Sequence, residues 1–149
     1  MTAALRCELI LPSVVVSAEP VDLTIRITNP GADAVAILGW GTPFEGMWSG
    51  PSVTVERDGA PVMYQGPMVK RGAPAAEEYV RIGARGMAEA ALRLDAAFVL
   101  AEPGRYRVVP RFVLHDVVRG GAPVPSPLAR MREEPLRCPE RLLEVLPAR

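Results

Sequence analysis

The sequence holds one lysine, Lys70, one histidine, His115, and two cysteines, Cys7 and Cys138. Each shortage excludes a class of chemistry. One histidine cannot supply a two-histidine zinc site, and no His-Glu-x-x-His element is present. Two cysteines fall short of the roughly four ligands of a structural zinc. Aromatic residues are 5% of the chain and the formal net charge is zero. No basic excess or block of like charge steers the chain toward nucleic acid or an anionic membrane. No apolar run approaches the roughly 20 residues that span a bilayer as a helix. Met1 to Glu8 lacks the charged-then-apolar order of an export signal. The expectation is therefore a cytoplasmic protein, with an extracellular one left open. In the cytoplasm two reduced thiols are favoured over a Cys7–Cys138 disulfide, although the first and last strands of a sandwich often lie close enough for one.

Catalytic patterns are equally scarce. Neither Gly-x-Ser-x-Gly nor a phosphate-cradling glycine loop occurs. His115 and Asp116 are neighbours, so a strand points them to opposite faces, and His115 reads as solvated. Glu77-Glu78 and Glu133-Glu134 are adjacent carboxylates, whereas glycosidic chemistry needs facing ones. Both pairs read as solvated surface. Cys7 falls on the apolar side of its strand and reads as a buried, inert thiol. No catalytic residue, metal ligand or cofactor is expected, and the function should be binding.

What is present is alternation. Hydrophobic residues make up 49% of 149 residues, enough to fill the core of one domain spanning 1–149. Sixteen prolines and thirteen glycines are scattered along the chain, which disfavours long helices and suits short strands between turns. Leu5, Cys7, Leu9 and Leu11 alternate with Arg6, Glu8 and Ile10 until Pro12, and Val14 to Val16 can continue after a kink. Asp22 to Thr28 puts Leu23, Ile25 and Ile27 on one face. Val35 to Leu38 suits a buried central strand. Ser52 to Arg57, the Asp58-Gly59 turn and Pro61 to Tyr64 read as a hairpin. Val80 to Ile82 and Ala88 to Leu94 follow, with Ala75 to Tyr79 as a helical turn. Tyr106, Val108, Phe112 and Leu114 share a face, with Pro110 marking a bulge or an edge. The segment 115–139 is long and irregular, and Glu140 to Leu146 closes the fold as a strand or a short helix. The pattern predicts an all-β, immunoglobulin-like antiparallel β-sandwich of seven to nine short strands. The Cys-Trp-Cys arrangement of antibody domains is missing. Pro103-Gly104-Arg105-Tyr106 suits a tyrosine corner.

Two loops stand out. Trp40-Gly41-Thr42-Pro43-Phe44-Glu45-Gly46 combines flexible glycines with an interface-type aromatic; its plainer reading is that Trp40 plugs one end of the sandwich. Gly66 to Pro74 presents the cations Lys70 and Arg71 between prolines; its plainer reading is an exposed crossover.

Leu38 to Gly46 resembles the "WGTPLEG" element of the N-terminal β-domain of deuterolysin-like peptidyl-Lys metalloendopeptidases. The resemblance continues through Tyr64 to Pro74 and Glu78-Tyr79 and fades near Pro103 to Val108, covering Leu5 to Val113. In that family the β-domain is a pro-region ahead of a zinc protease domain. The resemblance therefore implies an accessory domain without peptidase activity. It also implies a protein partner, a metallopeptidase, met as an inhibitor or folding helper. The contact would be Trp40, Gly41, Thr42, Pro43, Phe44, Glu45 and Gly46 together with Lys70 and Arg71. A lysine-preferring protease needs an acidic pocket, and Lys70 is the one lysine able to enter it. The alternative is an assembly module that forms a homodimer through a sheet edge.

Overall fold

The computed structural model describes residues 4–127 and 130–149. Thirteen strands form among them: β1 (Arg6–Ile10), β2 (Val14–Val16), β3 (Asp22–Thr28), β4 (Val35–Leu38), β5 (Val53–Arg57), β6 (Ala60–Val62), β7 (Tyr79–Ile82), β8 (Met87–Arg93), β9 (Gly104–Pro110), β10 (Val113–Leu114), β11 (Val117–Arg119), β12 (Glu134–Pro135) and β13 (Arg141–Leu146). Eight of these have four residues or more, within the expected seven to nine; the others are short additions at edges and ends. Helical structure among the described residues is confined to three 3-10 turns of three residues each. No helix there is long and apolar enough to cross a membrane.

The fold is the expected all-β, immunoglobulin-like sandwich. One layer is β1-β3-β8 and the other is β2-β13-β9-β5-β6. Alternation places Leu9, Leu23, Ile25 and Ile27 of the first layer in the same core as Val53, Val55, Tyr106, Val108, Leu143 and Val145 of the second. Pairing is antiparallel except between β2 and β13, which run parallel. Pro12 stops β1, and the chain crosses to the opposite layer instead of staying on β3. The Tyr106 hydroxyl donates to the Glu102 carbonyl at 2.6 Å, the expected corner. Asp58 and Gly59 both take positive φ (48° and 85°), as a two-residue hairpin requires. Pro110 is the last residue of β9, a central strand, and lies beyond the reach of the β13 pairing, so its missing N–H costs the ladder nothing.

A smaller sheet, β11-β4-β7, extends the molecule at one end. β4–β7 continues the β3–β8 ribbon past a bend at Asn29. That side chain is buried. Its amide donates to the carbonyls of Asp33 (2.9 Å), Ile82 (3.3 Å) and Gly83 (3.1 Å) and accepts from Gly31 N–H at 3.0 Å. It thereby satisfies the backbone groups that the bend removes from the ladder. Within 115–139, expected to be irregular, the described residues form the short strands β11 and β12.

The thiols differ from the expectation. Cys7 and Cys138 are joined in a disulfide with a Cα–Cα distance of 4.8 Å. The segment preceding β13 passes beside β1, where the Arg141 guanidinium also donates to the Leu9 carbonyl at 2.8 Å. Cys7 is thus half-buried and bonded, neither inert nor free.

Candidate functional site

The site grows out of the end of β4. Leu38 N–H bonds to the Asp116 carbonyl at 3.0 Å, and Gly39 N–H bonds to the Glu78 carbonyl at 2.9 Å. The chain then turns through Trp40 to Gly46 as a self-stitched unit. The Thr42 hydroxyl donates to Gly39 O at 2.7 Å and accepts from Phe44 N–H at 3.2 Å, capping the 3-10 turn Pro43–Glu45. Pro43 suits the first position of that turn. Gly41 and Gly46 take φ of 72° and 81°, the left-handed region that a β-carbon disfavours. The Glu45 carboxylate accepts from Gly41 N–H at 3.1 Å and closes the loop on itself.

Three contacts then bind this loop to the rest of the chain. Trp40 Nε1 donates to Glu78 Oε2 at 2.7 Å. The Arg71 guanidinium lies 5.2 Å from the Trp40 ring centre, within cation–π range. Arg71 Nη2 also pairs with the Glu45 carboxylate; that nitrogen is buried and this contact is one of charge, without a well-aligned hydrogen bond. The other Glu78 oxygen accepts from Ala75 N–H at 2.9 Å. The Trp40 indole, with the Ala75 amide and the Arg71 charge, holds the Glu78 carboxyl below the usual carboxylate range. Beneath the loop, buried Asp116 accepts from the Tyr79 hydroxyl at 2.6 Å and from Arg132 N–H at 2.9 Å. Burial, together with the Asp116 carboxylate, raises the Tyr79 hydroxyl well above its ordinary value.

Beside Arg71 opens a cleft of about 570 Å³, walled by Trp40, Val69, Arg71, Arg111, Val113 and His115 and by the turn at residues 49–52. Val69 N–H bonds to Ser49 O at 2.9 Å and ties the Gly66–Pro74 segment across this end.

The structure therefore brings together the two loops singled out in the sequence. It also ranks their residues. Thr42 and Pro43 are buried and shape the loop. Trp40 is 7% exposed, so the plug reading describes most of its surface. Gly41, Phe44, Glu45 and Arg71 are half-buried, while Gly46 and Lys70 are exposed. Sequence reasoning missed Glu78, which it read as solvated surface. Glu78 is no idle surface charge, and its reach back to Ala75 N–H, three residues earlier, was the available signal. His115 is partly exposed, with its ring 6.4 Å from that of Trp40 and Nδ1 3.8 Å from Glu133. Glu134 pairs with Arg119, whereas Glu133 and Glu77 are exposed, as expected of both pairs. Trp48, by contrast, belongs to the core. It stacks edge-on with Tyr64 and Phe98, and its Nε1 donates to Arg93 O at 2.9 Å. Among the described residues no group of three or more His, Cys, Asp or Glu could hold a metal ion.

No family model matches the chain. Over 117 residues it is 29% identical to an extracellular protease of Aeromonas hydrophila, covering 78% of this chain and 33% of that protein. The chain thus spans about a third of the length of the curated relative it matches. The CARDB domain of a Pyrococcus furiosus protein, solved in complex with di-metal ions, aligns with a TM-score of 0.42 at 11% identity, over 97% of this chain and 94% of that one. What stands is an all-β, immunoglobulin-like chain similar in sequence to part of an extracellular protease.

Proposed function

We propose that this chain is a non-catalytic protein-binding domain that contacts a metallopeptidase, as an inhibitor or a folding helper, through the Trp40–Gly46 loop and Lys70-Arg71. One observation carries the reading: Arg71 sits between the Trp40 ring and the Glu45 carboxylate, so the two loops form a single surface. Lys70 is next to this clamp, exposed and without an ion pair among the described residues. A lysine held beside a rigid loop loses less freedom on docking than one on a mobile loop, and an acidic protease pocket complements it. Exposed Met47 and Met68 supply adaptable apolar area nearby.

The likeness to part of an extracellular protease supports the accessory role. The Cys7–Cys138 disulfide supports work in an oxidising compartment outside the cytoplasm. Self-association through a sheet edge has weaker support. Edge strand β6 carries Pro61, and edge strand β8 presents Glu89 and Arg93 outward, both features that discourage pairing.

The test is direct binding of the chain to the purified zinc catalytic domain of a deuterolysin-like peptidyl-Lys endopeptidase, followed by calorimetry. The expected result is a saturable complex weakened about tenfold or more by Lys70→Ala, that is by about 1.4 kcal/mol. An unchanged affinity for Lys70→Ala, or no complex with the parent chain, overturns the reading.

A further inference from the structure

We propose that the cleft between Trp40 and Arg111 is a binding site for a peptide carboxylate, carried by an extended segment of a partner. The chain balances 17 basic against 17 acidic residues, yet the cleft is lined by Arg71, Arg111 and His115 and by no carboxylate. Cations gathered without a neighbouring carboxylate on the cleft wall attract an anion there.

Arg71 is fixed by Glu45 and the Trp40 ring, so one edge of its guanidinium is already used. Arg111 is exposed and makes no ion pair among the described residues, while its backbone N–H is pinned to Ser52 O at 2.8 Å on the cleft rim. A guanidinium with an anchored base and an open fork suits a carboxylate. Among the described residues His115 meets Glu133, at 3.8 Å, and the Trp40 ring.

About 570 Å³ falls within the usual range of ligand sites. Val69 and Val113, 38% and 37% exposed, offer aliphatic wall beside the cations. A carboxylate flanked by aliphatic residues fits that combination, whereas a bare inorganic anion leaves the apolar wall unused. The site does not use Lys70, which is not among the lining residues, so it stands or falls apart from the Lys70 contact.

The test is an NMR titration of the ¹⁵N-labelled chain with three probes. One is an acetylated, amidated hexapeptide of alanine and leucine with one glutamate. The second replaces that glutamate with glutamine. The third is the glutamine peptide with a free C-terminal carboxylate. The two indole N–H signals serve as reporter (Trp40) and internal control (Trp48, buried and bonded to Arg93 O, neither residue lining the cleft). The expected result is a saturable shift of the Trp40 signal with either carboxylate peptide. The tighter of the two identifies an internal acidic residue or a chain end as the source. Arg111→Gln weakens binding about tenfold, while Arg81→Gln, which removes an exposed arginine outside the cleft, leaves it unchanged. The proposal is overturned if the carboxylate-free peptide binds equally, if the two arginine variants behave alike, if inorganic phosphate binds more tightly than either peptide, or if Trp40 does not respond.

Discussion

Trp40 Nε1 donates to the Glu78 carboxylate at 2.7 Å, joining residues 38 positions apart in the chain. The bond fixes the indole edge, leaves its face to Arg71, and lowers the Glu78 pKa. A carboxyl whose folded-state pKa is depressed contributes stability that is complete above its ordinary value of 4.5 and is lost as pH falls through the lowered one. Titration of the Glu78 carboxyl carbon by NMR is expected to give a midpoint below 4.5 in the parent chain. In Trp40→Phe, which removes the largest cause, the midpoint returns toward the ordinary value. A midpoint indifferent to that substitution contradicts the geometry.

The Cys7–Cys138 disulfide closes a separation of 131 residues. Loop-closure entropy for so long a loop gives about 4–5 kcal/mol. Cys7→Ser, or reduction of the parent chain, is expected to lower the guanidinium unfolding free energy by an amount of that order. Coincident unfolding curves with and without reductant count against the bond.

Asn29 holds the bend between the large and small sheets. Asn29→Ala leaves buried Ile82 O and its neighbours without their donor, at a cost of about 2–3 kcal/mol. The strands β4 and β7 beyond the bend are expected to lose amide protection before β3 and β8 do. Uniform loss of protection across both sheets does not fit.

Tyr106 is buried, and its hydroxyl donates to Glu102 O. Tyr106→Phe keeps the ring and loses the corner bond, an expected cost of about 1–2 kcal/mol by urea unfolding. A neutral result shows that the corner is ornamental to stability.

Much of the fold is legible because alternation is a local property. Leu23, Ile25 and Ile27 declare their face within seven residues, and Asp58-Gly59 declares its turn within two. Tyr106 was readable from the Pro-Gly turn before it. The small sheet was harder. Val35 to Leu38 are buried on both faces, so their pattern shows burial and hides the partners, which lie at residues 79–82 and 117–119. The closeness of Cys7 and Cys138 is legible from the nearness of first and last strands in a sandwich, but their oxidation is not, because the residue order of Met1 to Glu8 points to a reducing compartment. In the site, the two loops were legible as compositions. Their junction was not, since the ion pair of Arg71 with Glu45 and the bond of Trp40 to Glu78 exist only once β4 and β7 have paired. The same holds for the tryptophans, which look alike in one glycine-rich stretch yet take opposite duties: Trp48 in the aromatic core, Trp40 at the rim.

Amide hydrogen exchange on the complex with the zinc catalytic domain tests the binding claim most directly. The expected footprint is new protection at residues 39–46 and 66–74, with the outer strands β1 and β8 unchanged. Protection confined to those edge strands, or none anywhere at saturating partner, contradicts it.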